Sequence, residues 1–376
     1  MYTVTRAVDE GDSEDIFYLD FAKAFDKVPR HRLIRKLAAK GVDGKIVNWI
    51  ENWLTGRTQR VCIQGEKSGE CAVESGVPQG TVLGPTLFTV YIDDLETEPE
   101  KRDLGVQIIK FADDTKGGKV IRGEEDREKL QEAINCLCDW ADKWGMSFNL
   151  AKCKVMHVGK NNPRYEYYMR EHKIGTTDEE RDIGVAITRN LKPSAQCSKA
   201  AGRAGAVLGQ IRQEFHYRDR HTFLKIYKQY VRPHLEFAVP AWSPWLKGDI
   251  DALEKVQERA VKMVAGLREK EYLGRCQELG LDTLEKRRHD QDMMLVYKML
   301  KEPSQTNMFT LAERQSGART RQKTGVRNLV PKFARTDQRK YSFAVRTVEK
   351  WNGLPDNVKG AATQEAFKVG LKRMNQ

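Results

Sequence analysis

Two apolar runs that each end on aspartate constrain this chain more than any other feature. Ile16 to Leu19 runs into Asp20, and Val106, Ile108, Ile109, Phe111 and Ala112 run into Asp113 and Asp114. Short apolar runs bounded by turn-forming residues predict strands, and both belong in one sheet. After Asp114 come Thr115, Lys116, Gly117 and Gly118 and then Lys119, Val120 and Ile121, which predicts the second acidic pair at the tip of a strand-turn-strand hairpin. An isolated Asp-Asp is ordinarily a surface turn or a helix cap, but these flanks project the acids from the end of a buried sheet. Carboxylates crowded there repel one another unless a cation neutralises them. Hard oxygen donors favour magnesium, which keeps coordination positions open for phosphates, so Asp20, Asp113 and Asp114 are the candidate metal ligands of a two-metal phosphoryl-transfer site.

A second acidic pair, Asp93-Asp94 after Tyr91-Ile92, reads differently. Leu83, Leu87, Phe88, Val90, Tyr91 and Leu95 recur at helical spacing and Glu96-Thr97-Glu98-Pro99 comes next, so Asp93 and Asp94 are expected at the solvated end of a helix. Periodicity also predicts a helix between Pro29 and Gly41 with Leu33, Ile34 and Leu37 inward. Another is predicted from Asp43 to Gly56 with Ile46, Val47, Ile50, Trp53 and Leu54 inward. Arg60 to Gln64 and Cys71 to Val73 look strand-like. Glu124 to Gly145 is a long amphipathic helix presenting Leu130, Leu137, Trp140 and Trp144, and Val155 to Val158 returns as a strand. Helices on one face of a mostly antiparallel sheet give an α+β fold. From about Ser194 the pattern is nearly all helical, including Asp249 to Gly266 with Ile250, Leu253, Val256, Ala260 and Val264 inward. A basic polar stretch from Gln315 to Lys340 reads as a linker or as a segment that orders on RNA.

These motifs together resemble the reverse transcriptases of non-LTR (LINE-type) retrotransposons, near the jockey and chicken-repeat lineages. Leu19-Asp20-Phe21-Ala22-Lys23-Ala24-Phe25-Asp26 is similar to the family's first palm motif, which implies a metal ligand at Asp20, assistance from the Phe21 carbonyl, and a bulky gate at Phe25 that excludes a ribose 2′-hydroxyl. Plain core packing would serve Phe25 equally. Gly76 to Pro85 resembles the second motif, a glycine-rich loop entering a helix, and places Gln79 and Gly80 against substrate. Asn149 to Lys154 resembles the fourth, with Lys152 approaching the triphosphate. Arg181 to Val185 matches a segment near the primer grip, and Tyr230 to Ala238, Ala241 to Pro244 and Trp351 to Pro355 resemble family segments C-terminal to the palm. The resemblance implies a right-hand polymerase: an antiparallel palm with helices on one face over 1–190, a helical thumb over 191–275 and a basic helical C-terminal region over 276–376. It further implies two Mg2+ ions, an RNA template, a DNA primer and deoxynucleoside triphosphates. Few residues precede Asp20, so the fingers are expected to be largely missing, the chain being either part of a longer polyprotein that supplies fingers and endonuclease or a decayed or truncated copy.

Charge supports a nucleic-acid partner. Residues 1–150 hold 21 Lys and Arg against 27 Asp and Glu, a net of −6, which leaves +18 for residues 151–376 out of the total of +12. Acidic catalysis joined to a basic phosphate-neutralising half suits a polymerase. The seven cysteines form no CxxC pair, which argues against a zinc module or a disulfide framework and fits a reducing compartment. The chain lacks a signal-peptide core and a membrane-length apolar run, so an intracellular protein, nuclear or cytoplasmic, is expected. The other readings are a non-catalytic RNA-binding relic of such an element and an intron-maturase-like enzyme.

Overall fold

The computed structural model describes residues 1–216, 219–302, 308–312 and 328–374. It forms two compact units, Gly11–Asp178 and a second made of Met1–Glu10 with Glu179–Gln376. The expected boundaries at 190 and 275 do not coincide with this division, and residues 1–10 group with the C-terminal unit rather than with the sheet that comes after them. Residues 315–327 of the basic polar stretch lie outside the described residues.

The first unit is mixed α/β. Strand β1 (Ser13–Leu19) is followed by helices α1 (Arg30–Ala39), α2 (Gly44–Leu54) and α3 (Leu83–Ile92), then by strands β2 (Gln107–Phe111) and β3 (Asp114–Ile121), helix α4 (Glu124–Trp144), and strands β4 (Lys154–Val158) and β5 (Gly175–Thr176). The sheet order is β5-β4-β1-β3-β2, antiparallel except for the β4–β5 pair. Alternation along β1 puts Phe17 and Leu19 into a core shared with Val155 of β4, Leu87, Phe88 and Tyr91 of α3, and Leu130, Ile134, Leu137 and Trp140 of α4. Register fixes one glycine: Phe17 pairs with Gly117, and a Cβ there would lie 2.3 Å from the Phe17 ring. Arg60 to Gln64 and Cys71 to Val73 contribute only two-residue strands, Cys62–Ile63 and Cys71–Ala72, both exposed.

The second unit carries a two-stranded ladder, β6 (Glu179–Asp182) with β7 (Val185–Thr188), and is otherwise mainly helical. Helix α5 (Ser194–Glu214) packs against α6 (Lys247–Lys262), whose Leu253, Val256 and Ala260 are buried. A further core joins Met293, Val296 and Tyr297 of α7 (Leu284–Lys301) to Val348 and Trp351 of α8 (Phe343–Asn352) and Phe367 and Leu371 of α9 (Gln364–Met374). The N-terminal helix Tyr2–Glu10 is tied to this unit, since Asp9 Oδ1 accepts from Thr336 N at 2.7 Å and Arg335 N at 2.8 Å, and Lys332 Nζ donates to Tyr2 Oη at 2.8 Å. All seven cysteines are free thiols, and among the described residues no helix is long and apolar enough to cross a membrane.

Candidate active site

Strand pairing brings the two acidic segments to one edge of the sheet. Leu19 is the register partner of Thr115 in the antiparallel β1–β3 pair, so Asp20 and Asp114, the next residue outward on each strand, leave the sheet side by side. Phe111 pairs with Asp114 across β2 and β3, which makes Ala112 and Asp113 the two-residue turn between them. The acids therefore occupy the hairpin tip as expected, while Thr115 to Gly118 lie within β3 rather than in the turn. Ala112 takes φ +52°, a left-handed conformation that L-residues adopt only where surrounding structure enforces it.

A loop from far along the chain holds Asp20 from behind. Asn149 N donates to the Asp20 carbonyl at 2.7 Å, Ala22 N donates to Ser147 O at 2.8 Å, and Phe21 forms an isolated bridge to Phe148, its buried ring stacked on Phe148 at 4.5 Å. The same loop carries Lys152, whose Nζ lies 3.0 Å from Asp20 Oδ2. The Asp20 hydrogen bond, then the Asp20 charge, and further the charges of Asp113 and Asp114, hold the Lys152 ammonium above the ordinary lysine range. One cation thus answers to all three carboxylates. Phe148 escapes a reading of the sequence because its partner Phe21 is remote in the chain, although two aromatics beside the motif residues are the available signal.

The glycine-rich loop is fastened to the segment after Asp20. Val77 N donates to Phe25 O and Gly76 N to Val28 O, each at 2.8 Å, and Ser75 Oγ donates to Asp26 O at 2.7 Å. Gly76 has φ +86°, and a Cβ on it would stand 2.7 Å from Asp26 Cα and from the Phe25 carbonyl, so the approach admits only glycine. Phe25 is half-buried and stacks on Phe88 at 4.7 Å. Gln79 and Gly80 are exposed at the loop's outer end, with Gln79 Nε2 3.4 Å from Asp26 Oδ1.

Asp93 and Asp94 stand at the end of α3, apart from this arrangement. Asp93 pairs with Lys40. Asp94 pairs with Lys36 and accepts from Trp140 Nε1 at 2.9 Å, while the Lys36 ammonium lies over the rings of Trp144, Trp140 and Tyr91 at 3.8, 4.8 and 4.9 Å. Burial within that aromatic cage lowers the Lys36 pKa, and Asp94 opposes the shift.

The carboxylate set has the hard-oxygen chemistry that a divalent cation takes, and Lys152 stands against Asp20 as a cation would. Among the described residues, no three His, Cys, Asp or Glu side chains are grouped closely enough to hold an ion together. Fit is therefore one of donor type, with Lys152 engaged at Asp20.

Comparison with known proteins bears on the same segments. The family model described as reverse transcriptase (RNA-dependent DNA polymerase) matches residues 5–199. The RNA-directed DNA polymerase from mobile element jockey of Drosophila funebris is 25% identical over 260 residues, covering 66% of this chain and 28% of that protein. The probable RNA-directed DNA polymerase from transposon X-element of Drosophila melanogaster is 24% identical over 269 residues, covering 70% and 29%. The chain spans less than a third of the length of these curated relatives. Among solved structures, telomerase from Candida tropicalis in complex with a fragment of telomeric RNA aligns with TM-score 0.42 at 10% identity, covering 97% of this chain and 49% of that one.

Proposed function

Because the chain belongs to the reverse transcriptase family, and to its non-LTR retrotransposon branch, we propose that its two units are the palm and the thumb with C-terminal region of an intracellular RNA-directed DNA polymerase. Its substrates in this reading are an RNA template, a DNA primer and deoxynucleoside triphosphates. The observation that supports it most is the convergence of Asp20, the Ala112–Asp114 turn and Lys152 at one sheet edge, with the Gly76 to Gln79 loop hydrogen-bonded to the Asp20 segment.

Asp20, Asp113 and Asp114, with the Phe21 carbonyl, would hold two magnesium ions. When bound, such ions supply activation of the primer 3′-hydroxyl and stabilisation of the leaving pyrophosphate. Asp20 must exchange its ion pair with Lys152 for a metal, and that exchange frees the Lys152 ammonium for the incoming triphosphate. Lys152 sits at a solvent-exposed position, so it can move between these partners without leaving a buried charge behind. The exposed Gln79–Gly80 backbone offers a close surface to the nascent base pair. Phe25, seated on Phe88, would lie beneath the sugar. Positioning and electrostatics of this kind supply most of what phosphoryl transfer needs.

RNA-templated primer extension tests the reading, using the chain joined behind the N-terminal part of a jockey-type polymerase so that a baseline is measurable. Asp20→Asn and Asp113→Asn should each reduce extension by roughly a hundredfold or more, because losing one ligand charge disrupts placement of the ions. Asp93→Asn combined with Asp94→Asn should retain most activity. A dead Asp93/Asp94 pair with a tolerated Asp113→Asn would move the site to the end of α3. RNA binding without extension in the unsubstituted fusion would favour a non-catalytic relic.

A further inference from the structure

A second polar centre lies within the Gly11–Asp178 unit, at the other end of β1. Asp15 is completely buried and pairs in register with His157 of β4. Its carboxylate accepts three hydrogen bonds of 2.7 Å, from His157 Nδ1 and Asn162 Nδ2 on Oδ1 and from Tyr167 Oη on Oδ2. A buried carboxylate with three donors holds the imidazole in one orientation. His157 itself is 7% exposed, and its Nε2 has no hydrogen-bond partner. Leaving such an atom unsatisfied is costly, and a fold retains it where something else completes it.

His157 is among the residues lining a cleft of about 390 Å3. Asp20 lies five positions after Asp15, roughly 16 Å at the usual rise of a strand, so the cleft is not part of the site at the opposite edge. Arg164 and Lys173 contribute cations to its lining, and the Lys154 ammonium lies about 3.0 Å from where a Cβ on lining residue Gly175 would stand. Glu166 is the acid of the lining and is already paired with Lys173. The donor set is too poor for a metal, since His157 and Glu166 are its ligand types and no group of three exists among the described residues. With Arg164 and Lys173 against Glu166 in the lining and Lys154 close to Gly175, the cleft suits an anion.

We propose that this cleft binds a phosphate group, supplied as free inorganic phosphate or by the backbone of single-stranded RNA. With Nδ1 held by Asp15, the unpartnered Nε2 is the ring atom left to meet the bound group. Lys173 shifts from Glu166 to the ligand, and Arg164 neutralises its remaining charge. Binding at this cleft is independent of the polymerase reading, and its readout does not involve nucleotide incorporation.

The test is NMR of the full chain with 15N-labelled imidazole rings, the His157 signals being assigned through His157→Gln. Inorganic phosphate is titrated in one arm, and a short oligoadenylate lacking terminal phosphates in the other. The His157 Nε2 resonance should move saturably. Because His157→Gln disturbs the buried Asp15 network, the exposed Lys173→Gln serves as the second variant and should weaken binding roughly tenfold, the usual size of one charge-assisted hydrogen bond. Movement with oligoadenylate at lower concentration than with phosphate assigns the backbone as source, and movement with phosphate alone assigns the free anion. An unmoved Nε2 in both arms, or equal affinity in Lys173→Gln, would overturn the proposal and leave a water-filled cleft beside a structural histidine.

Discussion

Phe25 has an architectural role in the structure, and under the proposed function it would have a chemical one as well. Its carbonyl accepts from Val77 N, its ring stacks on Phe88, and its position five residues after Asp20 puts it where the family gate is expected. Replacing Phe25 with Val should raise ribonucleotide over deoxynucleotide incorporation by roughly tenfold or more, since a pocket that no longer clashes with one hydroxyl loses its means of rejecting it. The same change removes packing on Phe88 and should lower stability by about 1–3 kcal/mol, so melting is measured alongside. A destabilised variant with unchanged sugar discrimination would leave Phe25 as core alone. Candidate residues that share a short motif are picked out from sequence in this way. Residues whose role depends on a distant partner are not: nothing local marks Lys36 as the cation seated among Tyr91, Trp140 and Trp144, or Phe148 as the brace behind Asp20.

At the level of elements, strong helical periods locate α1, α2, α3 and α4, and the apolar runs locate β1 and β2, because burial of one face dictates the spacing of apolar residues. Where apolar residues are not buried, the same rule misleads. Ile46 fits the inward face expected for α2, yet it is 52% exposed, and Trp49 on the same helix is 55% exposed. The glycines after Asp114 read as a turn, but Gly117 is needed under the Phe17 ring within β3. The N-terminal helix Tyr2–Glu10 could not be assigned to the C-terminal unit from sequence, since its latch joins residues more than three hundred positions apart, Asp9 to Thr336. That latch yields a pH prediction. Burial tends to raise the Asp9 pKa, but the hydrogen bonds from Thr336 and Arg335 outweigh it and hold the carboxyl below its ordinary 3.8. A depressed carboxylate pKa contributes stability that is present above the unfolded value and disappears as pH falls through the folded one. Asp9→Ala should therefore lower stability by about 1–3 kcal/mol at neutral pH, and the difference from the parent should shrink below pH 3.8, as followed by thermal melts. A gap that stays constant with pH would show that packing of the helix, not the charged latch, holds it.

Across the whole molecule, charge is divided unevenly between the two compact units. Gly11–Asp178 contains 26 Lys and Arg against 28 Asp and Glu, a net of −2, while the other unit contains 39 against 25, a net of +14, and the two account for the chain's +12. A basic surplus confined to one unit acts on phosphates as a group: each phosphate it neutralises releases a counterion, so the logarithm of affinity falls linearly with the logarithm of salt. Binding of the full chain to an RNA–DNA hybrid should weaken about 10³-fold or more between roughly 50 and 200 mM salt if six to ten phosphates are engaged. Arg203, Lys225 and Lys228 are exposed positions of the basic unit. Changing all three to Gln should flatten the log–log slope by about one for each phosphate left without its cation and weaken every sequence alike, because backbone recognition carries no base information. Changing Lys101, Lys129 and Lys143 of the other unit to Gln removes the same formal charge and should leave the slope nearly intact. Equal slopes for the two triple variants would mean that net charge alone attracts the nucleic acid, whereas a change specific to the first set would place the phosphate track on the helical unit.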